Sequence, residues 1–475
     1  MVDGTSALPL SEQMLAEWRG NPDALIQIIL QQGAAIVALQ EQVRELQSKL
    51  AERQAPPPAA PFRRDPSKRK SNPGRPGRKP GHPGSFRQKP EVIDQVIEVP
   101  LPEDSHCPDC RVPLAKVRKR TQYIEEIIPA RAQVTELTTW QGYCPNCQRE
   151  FRSTHPLKVS EACGAAGVHL GPRAQAMAAA LKYDHGLSWR KTQRILQQLF
   201  QLQITPGALS QSAERVARRL HHDYDQLLEQ LRAGPFVHSD ETSWWVNEPG
   251  WSLWVFCRPD LTYYRVVPSR SRAQFHEIIP ADYPGVLVSD CLSVYDGATA
   301  HQHKCYAHHQ KAIGAAIEDK GCAEDPGAWL NLIRRLLQQA VALSQQRHQL
   351  SPELFEKQLS GLRIAARALL NEPLPDAIEE SVRMRLFKQR DHLFSFLEHP
   401  GVSATNNLAE RQLRPAVITR KVSCGNRTAQ GAGTWQVLAS LAATCHQRAN
   451  SLIDLVIRAV SLHPPHISRP NGLKR

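Results

Sequence analysis

No stretch of this 475-residue sequence approaches the ~18–20 uninterrupted apolar residues that a membrane helix needs. The first residues, MVDGTSALPLSEQ, lack the basic flank and apolar run of a secretory signal. No membrane association is expected, and the chain is expected in the cytoplasm. A disulfide framework is missing too: the eleven cysteines are an odd count, and four of them fall in two CxxC pairs. That pattern suits a reducing compartment and a metal site. Acidic residues are in deficit, 46 against 59 Lys and Arg, for a formal net charge of +13. A basic surplus of this size favours polyanionic partners, because each neutralised phosphate releases a counterion. A single core is excluded by length, which suggests about three domains.

The chain divides visibly. Within residues 22–53, Ile29, Ile36, Val43 and Leu50 recur every seven residues, with Leu25, Leu39 and Leu46 between them and Gln32 as one polar break. Heptads of this kind predict a coiled-coil helix and a homo-oligomer. Residues 55–90 are almost without apolar side chains and rich in Pro and Gly, with ten Lys or Arg against one Asp between Phe62 and Lys89. Such a tract cannot bury enough surface to fold alone, so a disordered basic linker is expected. Its Arg75, Arg78 and Lys79 could follow a DNA minor groove as short basic arms do, or serve only as solvated charge.

Residues 91–155 read as a small β-rich unit, with strand-like stretches at Gln95–Val99 and Tyr123–Ile128. Cys107, Cys110, Cys144 and Cys147 stand in HCPDC and YCPNC. Four thiolates on two turns fit a closed, structural Zn²⁺ site, which would hold a unit with little core of its own. Residues 165–232 turn helical. Helices at Leu187–Leu199 and Ala208–Leu220, with a turn at Ile204–Gly207, have helix-turn-helix spacing. They carry Arg190, Lys191 and Arg194, then Arg215, Arg218 and Arg219, as candidate DNA contacts.

In residues 233–310 a run of short strands is expected: Glu241–Val246, Trp251–Cys257 and Thr262–Val267 as an antiparallel meander, then Gly285–Ser289. Residues 311–400 read as amphipathic helices, including Trp329–Gln346 and Pro352–Asn371. Residues 401–462 form a last helical block, and 463–475 a tail.

Three acidic residues stand out by placement. Asp240 lies at the start of the first meander strand, Asp290 at the end of the buried strand GVLVS, and Glu410 on a helix after the long helical stretch. In an RNase H-like sheet the first and fourth strands are neighbours, so two such carboxylates converge and a later helix can add a third. Three hard oxygen ligands suit two Mg²⁺ (or Mn²⁺) ions about 3.5–4 Å apart, acting on a phosphodiester. Asn406 and Arg414 flank Glu410 at helical spacing, to orient the carboxylate and to reach a DNA phosphate. The stretch HQHKCYAHHQK (301–311) spans a strand end and a helix start, so its ligands cannot all face one ion. A histidine beside the catalytic metals or the scissile phosphate is expected instead.

In this order the parts resemble transposases of the insertion sequence 66 family over nearly the whole chain. The motifs are KPGHPG (79–84), HSDET (238–242), SDCLSVYDG (289–297), CYAHH (305–309), NNLAERQLRP (406–415) and RKVSCGNRT (420–428). The resemblance implies a DNA transposase with Asp240, Asp290 and Glu410 as its metal-binding triad and His308 as a supporting residue. It also implies an RNase H-like core interrupted by a helical insertion. One departure is Cys291, where relatives often have Gly. The expected fold is therefore multidomain α+β: coiled-coil helix, zinc-binding β unit, helix-turn-helix-like domain and RNase H-like catalytic domain. Expected partners are double-stranded DNA (terminal inverted repeats and target), a second copy and accessory proteins of the same element, with association to the nucleoid. The alternatives are a catalytically silent DNA-binding descendant of a transposase and a structure-selective nuclease on the same fold.

Overall fold

The computed structural model describes residues 39–40, 42–43, 89–101, 105–107, 109–114, 118–153, 155–158 and 168–461. The expected coiled coil falls almost wholly outside them, as do Arg75, Arg78, Lys79 and the tail. Leu39 and Val43, where described, are helical and exposed. The chain divides into two compact units, Met1–Glu125 and Glu126–Arg475.

In the first unit the CPDC segment forms a tight turn. Arg111 N donates to the Cys107 carbonyl and Cys107 N to the Val112 carbonyl, each at 2.9 Å. The alternating residues 95–99 are not a strand: Val96, Ile97 and Val99 stand exposed. Alternation alone does not make a strand without a partner to pair with.

In the second unit residues 123–128, where they enter it, are likewise not strand. The hairpin there is β1 (Gln141–Cys144) with β2 (Arg149–Arg152), and it carries CPNC at its tip. Helix α1 (Pro172–Ala179) runs into a π-turn, then come α2 (Trp189–Phe200), α3 (Pro206–Arg219) and α4 (His221–Arg232). The sequence explains the breaks. Ser188 caps α2 by accepting from Lys191 N, Thr205 caps α3 by accepting from Ala208 N, and Pro206 follows at the first turn.

A five-stranded mixed sheet follows: β3 (Phe236–Ser243), β4 (Ser252–Arg258), β5 (Leu261–Val267), β6 (Val286–Ser289) and β7 (Gln302–Lys304), ordered β5-β4-β3-β6-β7. The short helix α5 (Arg272–His276) links β5 to β6. β3 pairs antiparallel with β4 and parallel with β6. Expected at 241–246, the first strand starts five residues earlier, so Asp240 lies within it rather than at its start.

Both faces of the sheet are covered, which accounts for the near-continuous apolar runs of β4 and β5. One face packs Trp254, Phe256 and Tyr263 against α4, in a core completed by α1 and the last helix. The other packs Leu253, Val255 and Tyr264 against α11 (Asn407–Ser423) and α12 (Ala429–Gln447). α12 also seals the β5 edge: Gln436, Ser440 and Thr444, one per turn, accept from the backbone N–H groups of Val266, Tyr264 and Thr262.

Between β7 and α11 lie α6 (Tyr306–Lys320), α7 (Trp329–Gln345), α8 (Pro352–Leu370), α9 (Ala377–Phe387) and α10 (Ser395–Glu398). They share one core with Val286 and Val288 of β6. The chain leaves and returns at one point, where Tyr306 N donates to the Ala404 carbonyl (2.9 Å). The final helical block consists of three helices. It breaks at Cys424 and Gly425, both in left-handed conformation, and again at Ala449, before α13 (Leu452–Ser461). Among the described residues no helix is long and apolar enough to cross a membrane.

Candidate active site

The parallel register places the two aspartates. Val237 pairs with Leu287 and His238 with Val288. Asp240 and Asp290 each lie two residues beyond the second pair, so the register directs both to the same end of the two strands, where the charge of Asp290 reaches Asp240. Asp290 is the first residue past β6, and its carboxylate accepts from Leu292 N at 3.0 Å, which fixes the turn after the strand. Glu410 sits in the first turn of α11, the helix packed on β3 and β4.

The charges of all three meet. Burial pushes the Asp240 carboxyl up to about 7, and the charges of Glu241, Asp290 and Glu410 push in the same direction, against the Glu241 N–H that lowers it. Glu241, missed by the sequence reading, is raised by burial and by Asp290, while the Tyr295 hydroxyl donates to it at 2.7 Å and lowers it. Its only sequence signal is adjacency to Asp240. A crowd of half-buried carboxylates is the condition that a hard divalent cation relieves, and the donor set fits one.

Asn406 holds the site together, though not as spacing suggests. It is the residue capping α11 and is buried. Its Oδ1 accepts from His238 Nδ1 (3.1 Å) and its Nδ2 donates to the Ser239 carbonyl (2.8 Å), which ties the Glu410 helix to the Asp240 strand. The backbone N–H of Asn406 donates to Cys305 Sγ at 3.1 Å. With Glu410 its contact is the helical bond from Glu410 N to its own carbonyl. Burial holds His238 neutral, its pKa lowered to about 4, so the bond to Asn406 is one between neutral groups.

Lys304 is buried on β7 beside the site, with Nζ 3.2 Å from Ser289 Oγ and 3.4 Å from Asp296. Arg414 is exposed. Cys291 Sγ lies 3.9 Å from His309 Nε2. Cys305, His308 and Glu410 offer ligand atoms all within 4.8 Å of one another.

The other candidates stand apart. In the CPDC turn the N–H groups of Cys110 and Asp109 lower the Cys107 thiol; in CPNC those of Cys147 and Asn146, with the Cys147 thiol, lower Cys144. Donors of this kind favour thiolate, the form that binds metal. Arg190 and Lys191 are exposed on α2, whereas Arg215 is half-buried. Arg218 pairs with Glu214 at 2.8 Å, and Arg219 donates to the Val460 carbonyl.

The chain is similar to two proteins of Sinorhizobium fredii. One is the uncharacterized protein y4qI, at 25% identity over 266 residues, 48% of this chain and 48% of that protein. The other is the uncharacterized protein y4jD, at 24% over 383 residues, 73% of this chain and 72% of that protein. The match therefore spans about half the length of the first relative. The model of the family described as Transposase IS66 family matches residues 167–434, more than half of the sequence, and the chain belongs to that family.

Proposed function

We propose that this chain is a DNA transposase that cleaves its element's ends and joins them to target DNA, with Asp240, Asp290 and Glu410 holding the catalytic Mg²⁺ or Mn²⁺. The observation that carries this reading is the placement of the three carboxylates: Asp240 on β3, Asp290 just past the neighbouring parallel strand β6, and Glu410 on a helix, with the charges of the last two reaching Asp240. The sheet order β5-β4-β3-β6-β7, with helices between β7 and the Glu410 helix, supports an RNase H-like core with a helical insertion. When bound, the metals polarise the phosphodiester and lower the pKa of the attacking water or 3′-hydroxyl. Asp240 on β3 and Asp290 just past β6 would present the oxygens, Asn406 holds the Glu410 helix against β3, and His308 stands beside Glu410.

Arg190 and Lys191 on α2, and the basic tract with Arg75, Arg78 and Lys79, would contact phosphates of the terminal repeats and target. Arg215, Arg218 and Arg414 complete the proposed DNA-facing set. Cys107, Cys110, Cys144 and Cys147 would hold a structural Zn²⁺, and the heptad segment would pair two copies, with accessory proteins of the element as further partners. The full chain is tested with Mg²⁺ or Mn²⁺ on DNA carrying the element's ends. Asp290→Ala should lose cleavage and strand transfer while keeping end binding; wild-type activity in that variant would sink the triad. A catalytically silent descendant would bind ends with no metal-dependent cut in any form of the protein.

A further inference from the structure

Cys305, His308 and Glu410 bring a thiol sulfur, an imidazole nitrogen and a carboxylate oxygen within 4.8 Å of one another. This is not the hard-oxygen set of a magnesium site. Sulfur and imidazole select zinc and other thiophilic cations. A tetrahedral zinc site has ligands about 2.0–2.3 Å from the ion and so about 3.4–3.8 Å apart, and a contraction of roughly 1 Å would close this cluster on an ion.

The framework is already set. Cys305 caps α6 and His308 follows one turn later on the same helix, so their spacing is fixed by the backbone. Glu410 lies in the first turn of α11, whose capping residue Asn406 donates its N–H to Cys305 Sγ and its side chain to β3. His308 Nδ1 is buried with no hydrogen-bond partner. A buried ring nitrogen left unsatisfied on a residue of this cluster is costly without a partner.

We infer that Cys305, His308 and Glu410 form a second cation site, selective for zinc, whose occupancy withdraws Glu410 from Asp240 and Asp290 and silences DNA cleavage. The inference rests on the triad reading for its consequence, but not for the binding itself. Zinc displaces the thiol proton to solvent, and no other covalent change is needed. Glu410 is thereby shared between two incompatible sites, and the balance of zinc and magnesium decides which one forms.

The full-length protein, treated with a mild chelator that leaves zinc only on the CxxC pairs, is titrated with cobalt(II) in magnesium-free buffer, and the thiolate-to-cobalt charge-transfer absorption is followed. Zinc released from the CxxC pairs is measured in parallel with a colorimetric chelator. Wild type should gain the band without releasing zinc, Cys305→Ser should lose it, and His308→Gln should weaken it. An undiminished band in Cys305→Ser overturns the site. Should that variant fail to fold by circular dichroism, an undiminished band in His308→Gln overturns it instead. In DNA cleavage at fixed Mg²⁺, with each protein scaled to its own zinc-free rate, the half-inhibiting zinc concentration should rise at least about tenfold in Cys305→Ser. An unchanged half-inhibiting concentration overturns the regulatory claim. The two readings fail separately: cleavage by Asp290→Asn would remove the triad, while the cobalt band in that same variant would still report the cation site.

Discussion

Asp240→Asn should make the magnesium-free protein more stable, and more so as the pH rises. In the wild type, burial and the charges of Glu241, Asp290 and Glu410 carry the Asp240 carboxyl from 3.8 to about 7. A raised carboxyl pKa means that the fold favours the protonated form. Its contribution is therefore fully present below about pH 4, is lost progressively as pH rises, and is gone above about pH 7. A shift of about three pH units at about 1.4 kcal/mol each puts the full loss at up to about 4 kcal/mol. Asparagine keeps the shape and removes the charge. The variant should thus exceed wild type by about 2–3 kcal/mol more at about pH 8 than at about pH 5. The assay is urea unfolding followed by tryptophan fluorescence, since Trp244 and Trp254 are buried in the two cores that flank the sheet. Added Mg²⁺ should restore the wild type at high pH and leave the variant unmoved. Parallel pH profiles for the two proteins would refute the idea that burial, with the neighbouring charges, holds this carboxyl protonated in the fold.

Asn406→Ala should destabilise by roughly 1–3 kcal/mol, because it strips His238 of its partner inside the core; a urea midpoint equal to wild type would count against that tie. Gly425→Ala should cost at least about 1–2 kcal/mol in the same assay. The position has φ +80°, and a Cβ there would run into the Trp245 carbonyl oxygen. Replacing Arg190 and Lys191 together with Ala should weaken binding to all DNA sequences and reduce the slope of log affinity against log salt by about 2; an unchanged slope would move the DNA contact elsewhere.

The parts of the fold that are legible in the sequence are those whose structure is decided locally. β4 and β5 are dense in Trp, Val, Phe and Tyr and are joined by Pro259 and Asp260, so runs and turn agree. Helices α2, α3 and α8 announce themselves through Ser188, Thr205 and Ser351 as capping residues. The start of β3 is hidden because HSDETS is polar. Its strand character comes from pairing with β4 on one side and β6 on the other, which spacing cannot show. The two aspartates are visible because a carboxylate beside a buried strand is conspicuous. Asn406 is obscured for the opposite reason: its partners, His238 and Ser239, are remote in sequence, and a residue just ahead of the helix lies off the face on which four-residue spacing is counted. The polar residues of α12 that seal the β5 edge give no sequence signal either, since a stripe of Gln, Ser and Thr looks like a solvated face.

The meeting of Tyr306 with Ala404 has a consequence for how this protein can change. The helices α6 to α10 form a closed detour with its entrance and exit fused, so residues can be gained or lost inside it without moving Asp290 relative to Glu410. The entropy of closing a longer detour grows only with the logarithm of its length. Part of what pins the detour is its cover over Val286 and Val288 of β6, helped by Phe396 against His303 and by Gln389 donating to Asp296. A substitute for α7 to α10 of different length and helix count would serve if it kept the first turn of α6 with His308, capped those two valines and returned at residue 404. This makes the detour the place where a new partner-binding module could be fitted while the carboxylates stay in register.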